Sequence, residues 1–158
     1  MKGDPAMIEW LNKALKAELT AINQYFLHSR MLEDWGLEHL AKKAYEESIE
    51  EMNHADALIK RILLLGGLPN LQDLGRLRIG ENPCETLECD LALEQEALPM
   101  YRDAVEAAEK ARDYGSRDLF QSILIDEEEH TDWLETQLDL VERLGEQNYL
   151  QKQLKPAG

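Results

Sequence analysis

The sequence has little cysteine, a shortage of positive charge and no long apolar run. Of its 158 residues, 17 are lysine or arginine against 32 aspartate or glutamate, and the formal net charge is −15. Such a surface repels nucleic acids and anionic membranes, so we expect neither as a partner and expect cations instead. No apolar stretch approaches the roughly 20 residues of a transmembrane helix, and the N-terminus lacks the apolar core of a signal peptide. These features predict a cytoplasmic protein.

The two cysteines, Cys84 and Cys89, are five residues apart at the start of a predicted helix. Side chains at that spacing lie about 140° apart around the helix axis, which opposes a disulfide between them. Neither a Cys-x-x-Cys motif nor a further cysteine supports a thiolate metal site or a redox site. We therefore expect two free thiols.

Apolar residues at three-four spacing, helix-start residues and glycine stops predict an all-α fold. No proline-, glycine- and serine-rich linker divides the chain, so we expect one domain over residues 1–158. A short turn around Gly115 should separate the last two long helices. The long helices are predicted at residues 5–34, 38–65, 84–112 and 116–144, and a short amphipathic helix at about 147–154.

The connection between the second and third helices, GGLPNLQDLGRLRIGENP, is unusually long for a compact domain. When extended it reaches roughly 50 to 60 Å, whereas a helix of about 27 residues spans roughly 40 Å. The segment can therefore cross the whole bundle and begin a helix parallel to the preceding one. This predicts a four-helix bundle with a long crossover.

A carboxylate interrupts the apolar stripe in the middle of each long helix: Glu18, Glu51, Glu94 and Glu127. His54 and His130 each follow the glutamate of their own helix by three residues, so each Glu-x-x-His pair can point towards one place. The same residue types recur at an offset of 76, which relates the first half of the pattern to the second. We infer two related helix pairs that face each other about a pseudo-twofold axis.

The charge of these glutamates predicts a dinuclear metal site. An ionised carboxylate that is buried without a partner costs several kcal/mol or more. No lysine or arginine lies near the glutamates on these stripes, whereas two divalent ions would balance four carboxylates. Oxygen-rich ligation with one imidazole per metal favours iron or manganese over zinc. One Glu-x-x-His pair alone would more often mark a solvated face, but two pairs with two lone glutamates are the ligand set of ferritin-like carboxylate proteins.

Longer stretches identify a family. These are MKGDP, ELTAINQYFLHSRM, GLPNLQDLGRLRIGEN, SRDLF and EEEHTDWLETQLDLVERLGEQNYLQ, and through them the chain resembles the bacterioferritins over nearly its whole length. The resemblance implies a ferritin-like four-helix bundle whose six predicted ligands form a di-iron ferroxidase site, with Glu51 and Glu127 bridging the irons. It further implies a shell of twenty-four subunits, built from dimers, that oxidises ferrous iron with dioxygen or hydrogen peroxide and stores a ferric mineral. The short last helix would line the fourfold axes of that shell.

Met52 lies about 100° around the helix from Glu51 and so should face a neighbour or solvent. From the residues alone, an apolar side chain at a dimer contact is the simpler explanation. The resemblance instead implies a haem b shared by two subunits, with Met52 of each as axial ligand. The haem would pass electrons from a small ferredoxin for reductive iron release, in a pocket formed by Leu19, Ile22, Asn23, Phe26, Tyr45 and Ile49.

The roles of several residues have two interpretations. Glu46 and Glu50 either hold a transient iron ion on the inner surface of a shell, where some family members carry His and Asp, or form a solvated face. Tyr25 either hydrogen-bonds to a site carboxylate or packs in the core. His28 and His39 lack a carboxylate at ligand spacing and are expected to be structural or surface residues.

The functional alternatives differ in what they require. A rubrerythrin-like peroxide reductase needs Cys-x-x-Cys pairs that the chain lacks, and a DNA-protecting mini-ferritin is opposed by the acidic surface and by a ligand set within one subunit. The alternative that remains beside an iron-storage ferroxidase is a haem-binding shell or electron-transfer subunit with a vestigial metal site. An activity assay distinguishes the two.

Overall fold

The computed structural model describes residues 1–154, which form five α-helices and no strand. Each bound of the four long helices lies within two residues of its predicted place. The short helix ends three residues earlier than predicted, and residues 155–158 lie outside the described part of the chain. No helix in residues 1–154 has the length and apolar character needed to cross a membrane. The helices are α1 (Pro5–Asp34), α2 (Glu38–Leu64), α3 (Pro83–Lys110), α4 (Tyr114–Leu144) and α5 (Glu146–Gln151).

Side-chain caps begin α1 and α3. Asp4 Oδ1 accepts a hydrogen bond of 2.9 Å from the backbone N–H of Ala6, and Pro5 occupies the first helical position. Asn82 and Pro83 repeat the arrangement at the start of α3. Each cap satisfies a backbone donor that has no partner within the helix, while the proline loses no hydrogen bond there.

The crossover, residues 65–82, runs along α1 in the same direction as α1. Its first part is held by Asn12, whose Oδ1 accepts a 2.8 Å hydrogen bond from the backbone N–H of Asn70. Its last part reaches the other end of α1, where the N–H of Gly80 donates to His28 Nε2 at 3.0 Å. Since the crossover ends beside the C-terminal part of α1, α3 starts there and runs back antiparallel to α1. The predicted crossover bundle is therefore correct.

A buried polar network connects the crossover, α1 and α3. The Asp90 carboxylate lies 2.8 Å from His28 Nδ1 and accepts a 2.8 Å hydrogen bond from Gln24 Nε2. Gln24 Oε1 in turn accepts from the backbone N–H of Arg78 at 3.0 Å. His28 is fully buried and has a structural role, whereas His39 is exposed.

The turn between α3 and α4 lies at residues 111–113, so its predicted position around Gly115 is wrong. Arg112 takes a left-handed conformation with φ of 58°, and Asp113 Oδ1 caps α4 by accepting from the N–H of Ser116 at 3.1 Å. Gly115 belongs to the first turn of α4. Its lack of a side chain makes room for Arg61, because a Cβ there would lie 2.5 Å from Nη2 of that guanidinium.

Two apolar clusters fill the bundle on either side of its middle. The first contains Leu11, Leu58 and Phe120, and the second contains Leu32, Leu87 and Leu134. Tyr149 of α5 is buried in the second cluster and donates a 2.7 Å hydrogen bond to Gln137 Oε1, so α5 docks on its own chain. The stretch of each long helix between the two clusters is the stretch that carries the predicted ligands.

Cys84 and Cys89 are free thiols, as predicted. Partial burial and the nearby Glu146 carboxylate raise the pKa of Cys84 to about 11. Burial and the neighbouring Asp90 also raise the pKa of Cys89. Both side chains are therefore weak nucleophiles at neutral pH.

Candidate metal centre

The bundle brings all six predicted ligands together at its middle. None of the four carboxylate residues is more than 2 % exposed, and the two histidines are 8 % and 5 % exposed. Each residue occupies a core-facing position of its helix, as the helical period predicted. They are Glu18, Glu51, His54, Glu94, Glu127 and His130.

The first potential metal position lies around His54. One ligand atom from each of Glu18, Glu51, His54 and Glu127 lies within 4.8 Å of the others. The Nδ1 atom of His54 is 3.3 Å from Glu127 Oε1, 3.5 Å from Glu18 Oε2 and 3.7 Å from Glu51 Oε2. Three carboxylates and one imidazole nitrogen therefore surround a single point.

The second potential position lies around His130. Ligand atoms of Glu94, Glu127 and His130 lie within 4.8 Å of one another, and His130 Nδ1 is 3.2 Å from Glu94 Oε1. Glu127 belongs to both groups, which is the placement a bridging carboxylate requires. Glu51 belongs to the first group only, so its bridging role remains a prediction.

Unpaired atoms show that the site fits a metal. Glu18 Oε2, His54 Nδ1, Glu94 Oε2 and Glu127 Oε1 are buried without a hydrogen-bond partner in residues 1–154. Buried polar atoms in proteins are nearly always paired, so four unpaired ones at one place indicate a missing partner. No lysine or arginine of the described chain forms an ion pair with these glutamates. A cation bound by carboxylate oxygens and imidazole nitrogens satisfies all four atoms.

The pKa values show how the metal-free cluster compensates its charge. Burial, with the neighbouring Glu127, raises the pKa of Glu94 well above its ordinary value. Burial and the charge of Glu18 raise the pKa of Glu127 to about 7. Burial lowers the pKa of His54, but the nearby Glu127 and Glu18 carboxylates outweigh that effect and raise the pKa to about 11. The cluster therefore retains protons when no metal neutralises it.

Two tyrosines hold site carboxylates across the pseudo-twofold axis. The Tyr25 hydroxyl donates a hydrogen bond to Glu94 Oε1, so the first of its two interpretations is correct. Tyr101, which corresponds to Tyr25 at the offset of 76, donates to Glu18 Oε1. We did not predict the Tyr101 contact, although the repeat contained the signal for it.

Two further carboxylates near the centre were missed by the sequence analysis. Asp126 Oδ2 lies 2.8 Å from Nε2 of His54, the ring nitrogen remote from the site glutamates. A carboxylate in that place fixes the orientation of a ligating imidazole. Glu47 is buried beside His130, at 3.6 Å from Nδ1, and pairs with Lys43 at 2.9 Å. Asp126 interrupts no apolar stripe, whereas Glu47 lies on the buried face of α2, four residues before Glu51.

Glu46 and Glu50, which were predicted to act together, differ in their position relative to the centre. Glu50 can place an oxygen within 4.8 Å of ligand atoms of His54 and Asp126, whereas Glu46 is exposed. Burial and the charge of Glu47 raise the pKa of Glu50 to about 7. Only Glu50 therefore lies beside the centre.

A cavity of about 440 Å³ connects the centre with the surface between α1, α3 and the crossover. Its buried lining includes all four site glutamates, and its more exposed lining comes from the crossover, from the first half of α1 and from Glu96 of α3. Small molecules and ions can enter this space from outside the bundle.

Met52 lies on a separate, exposed face of α2 and is 51 % exposed. Tyr45 and Ile49 lie on the same face of α2, and Phe26 of α1 packs beside Tyr45 with ring centroids 6.5 Å apart. The other residues of the predicted pocket are the half-buried Leu19 and Ile22 and the exposed Asn23.

Comparisons with known proteins agree with the geometry. Residues 8–144 match the ferritin-like domain family. The chain is 58 % identical over 149 residues to bacterioferritin of Rhodobacter capsulatus, covering 94 % of this chain and 92 % of that protein. It belongs to the bacterioferritin family. It is also 54 % identical over 157 residues to bacterioferritin of Brucella melitensis, covering 99 % and 98 % of the two chains.

A crystal structure of Rhodobacter capsulatus bacterioferritin matches with a TM-score of 0.97 and 56 % identity, covering 99 % of this chain and 98 % of that one. It is described as having a metal-free dinuclear site and haem iron in a crystallographic special position. The resemblance predicted from the sequence is confirmed, and so is the ferritin-like bundle with a short C-terminal helix. Membership of the bacterioferritin family supports iron storage as the general function.

Proposed function

We propose that this member of the bacterioferritin family is an iron-storage ferroxidase that oxidises ferrous iron at the centre between the two apolar clusters. The observation that carries the proposal is the pair of ligand groups that share Glu127. Two adjacent positions of this kind suit a reaction in which two ferrous ions give up electrons to one oxidant.

Ferrous iron is the substrate, together with dioxygen or hydrogen peroxide. Glu18, Glu51, His54 and Glu127 would bind one ferrous ion, and Glu94, Glu127 and His130 would bind the other. Four carboxylates with two neutral imidazoles balance the charge of two divalent ions. After oxidation, ferric iron would move into the interior of a shell of twenty-four subunits and be stored there as a mineral.

The surrounding residues fix the ligands in place. Tyr25 and Tyr101 hold Glu94 and Glu18 in place, so those carboxylates need little reorganisation when iron binds. Asp126 keeps Nδ1 of His54 directed at the site glutamates. Because metal ligands must be deprotonated, iron binding displaces the protons that the raised pKa values retain in the metal-free cluster.

The exposed face around Met52 fits a haem b shared by two subunits. The Met52 residue is half exposed, and the neighbouring Tyr45, Ile49 and Phe26 offer apolar surface that a macrocycle would cover. A haem bound there would supply electron transfer, with a small ferredoxin as donor, for the reductive release of stored iron. A haem-binding shell or electron-transfer subunit with a vestigial metal site is the alternative function that this face favours.

The test is stopped-flow absorbance after anaerobic loading with two ferrous ions per chain and mixing with oxidant. We compare wild type with Glu94→Ala and with Glu88→Ala, a control that removes an exposed carboxylate from the same helix. Fast oxidation in wild type and the control, with loss in Glu94→Ala, would support the ferroxidase. Equally slow oxidation in all three would contradict it and support the alternative.

A further inference from the structure

The outer lining of the cavity that leads to the metal centre is unexpectedly basic. The chain carries a net charge of −15, yet four of its 17 lysine and arginine residues line this one cavity. All four are at least partly exposed, in contrast to the buried glutamates deeper in the same cavity. We call this group the basic mouth: Lys13, Lys16, Arg76 and Arg78.

Acidic neighbours neutralise only part of the basic mouth. Lys16 pairs with Asp73 at 3.2 Å, and Arg78 pairs with Glu96. Lys13 and Arg76 form no ion pair within residues 1–154, and the Lys13 ammonium instead lies 4.8 Å from the centre of the Trp10 ring. The mouth therefore retains a surplus of two positive charges.

The crossover holds the two arginines in place through its backbone. Gly75 donates a 2.8 Å hydrogen bond to Thr20 Oγ1, and Arg78 donates its N–H to Gln24 Oε1 at 3.0 Å. These bonds attach the chain to α1 on both sides of Arg76. In addition, Arg78 Nη1 is buried and has no acceptor in the described chain, although its neighbour Nη2 bonds to Glu96.

We propose that the basic mouth binds a small oxoanion of the phosphate class. Arginine guanidinium groups match the geometry of phosphate oxygens, and the exposed Arg76 guanidinium has no carboxylate partner within residues 1–154. The cavity is large enough for such an anion and one shell of water. The buried glutamates repel the anion from the metal centre, so it stays among the basic side chains. Binding does not depend on the proposed ferroxidase function.

A phosphate-class anion in this place would offer oxygen ligands to iron on its way to or from the metal centre. This consequence rests on the proposed function. Hard cations prefer oxygen ligands, and phosphate oxygens are ligands of that kind. The basic mouth would hold such a ligand at the outer end of the cavity whose inner end carries the site glutamates.

The test titrates inorganic phosphate into the assembled, metal-free protein at constant ionic strength and neutral pH, with binding measured by calorimetry. The mouth variant is Lys13→Gln with Arg76→Gln, which removes the two charges that have no ion pair. The matched control is Lys2→Gln with Lys42→Gln, which removes two exposed charges elsewhere on the chain. We expect the dissociation constant of phosphate to rise by about fivefold or more in the mouth variant and to stay unchanged in the control.

Equal affinity in the mouth variant, the control and wild type, or no binding of millimolar phosphate to wild type, would overturn the proposal. Both variants change the net charge by the same amount, so a difference between them cannot come from the overall field of the protein. Because no iron is present, failure of this experiment leaves the ferroxidase proposal untouched, and failure of the ferroxidase assay leaves this one untouched.

Discussion

The hydroxyl of Tyr101 on α3 donates a hydrogen bond to Oε1 of Glu18 on α1. Tyr25 on α1 makes the reciprocal contact with Glu94 on α3. Each half of the pseudo-twofold site is therefore held by a hydroxyl from the other half. Both tyrosines are fully buried.

Replacing Tyr101 with phenylalanine should therefore affect both stability and activity. A hydrogen bond to a charged acceptor contributes about 1.5–3 kcal/mol, so we expect the free energy of unfolding of the metal-free protein to fall by about that amount. Ferrous oxidation should slow because Glu18 loses its fixed orientation. Chemical denaturation and stopped-flow absorbance measure the two effects.

Tyr149→Phe is the matched control for that variant. The Tyr149 hydroxyl is bonded to the neutral Gln137, away from the metal centre, and its removal should cost about 1 kcal/mol without slowing oxidation. If Tyr101→Phe oxidised iron as fast as wild type, the positioning role of Tyr101 would be wrong.

Asp126→Asn should weaken metal binding without removing a predicted ligand. The amide cannot accept a charge-assisted hydrogen bond from His54 Nε2, so the imidazole loses the partner that orients Nδ1. Changes of this kind typically cost 10- to 100-fold in metal affinity, and we expect about that loss for Co²⁺ in an anaerobic absorbance titration. Asp132→Asn on the same helix is the control, and equal affinity in both variants would contradict the role of Asp126.

The metal-free protein should become less stable as the pH rises. The folded-state pKa of Glu127 is raised from 4.5 to about 7, and that of His54 from 6.5 to about 11. Both groups therefore hold protons more tightly in the folded state than in the unfolded state. The stability they contribute is fully present below the unfolded pKa values and is lost as the pH passes through about 7 for Glu127 and towards about 11 for His54.

Differential scanning calorimetry of metal-free protein should thus show a Tm that falls by several degrees between about pH 5 and about pH 9. Glu127→Gln should reduce the decrease in Tm at the lower pH values of this range. Saturating Co²⁺ should reduce the decrease over the whole range, because the metal replaces the protons. A Tm that is constant or rises over this range would show that the cluster does not retain its protons.

Met52→Leu should separate haem binding from iron oxidation. The leucine keeps the apolar surface of α2 but has no sulfur to ligate haem iron, so reconstitution with haem should lose the absorbance spectrum of a methionine-ligated haem. Ferrous oxidation should be unchanged because Met52 points away from the buried glutamates. The control Met31→Leu should retain the haem spectrum, and an unaltered spectrum in Met52→Leu would exclude Met52 as the axial ligand.

The meeting of six residues at the centre could be predicted because a carboxylate on an apolar stripe is costly to bury without a partner. The helical period fixes which face carries Glu18 or Glu94, and burial then demands a compensating cation. The long crossover was predictable for a similar reason, since its length exceeds what an antiparallel connection needs. Periodicity and segment length can both be determined from the sequence without knowledge of tertiary contacts.

Asp126, the basic mouth and the turn before α4 depend on how distant segments meet. Asp126 is partly exposed and interrupts no stripe, and its role follows from the way α4 places it against His54. Arg76 lines the cavity only because the crossover runs along α1. Gly115 looked like a helix stop, but the cap at Asp113 and the room needed by Arg61 place it inside α4.

We propose that one chain binds two ferrous ions at adjacent positions that share Glu127. The most direct test is the anomalous scattering of iron in crystals of the metal-free protein soaked anaerobically with ferrous iron. We expect two peaks per chain, one among Glu18, Glu51, His54 and Glu127 and the other among Glu94, Glu127 and His130. No iron at either position, or iron only on the exposed acidic surface, would contradict it.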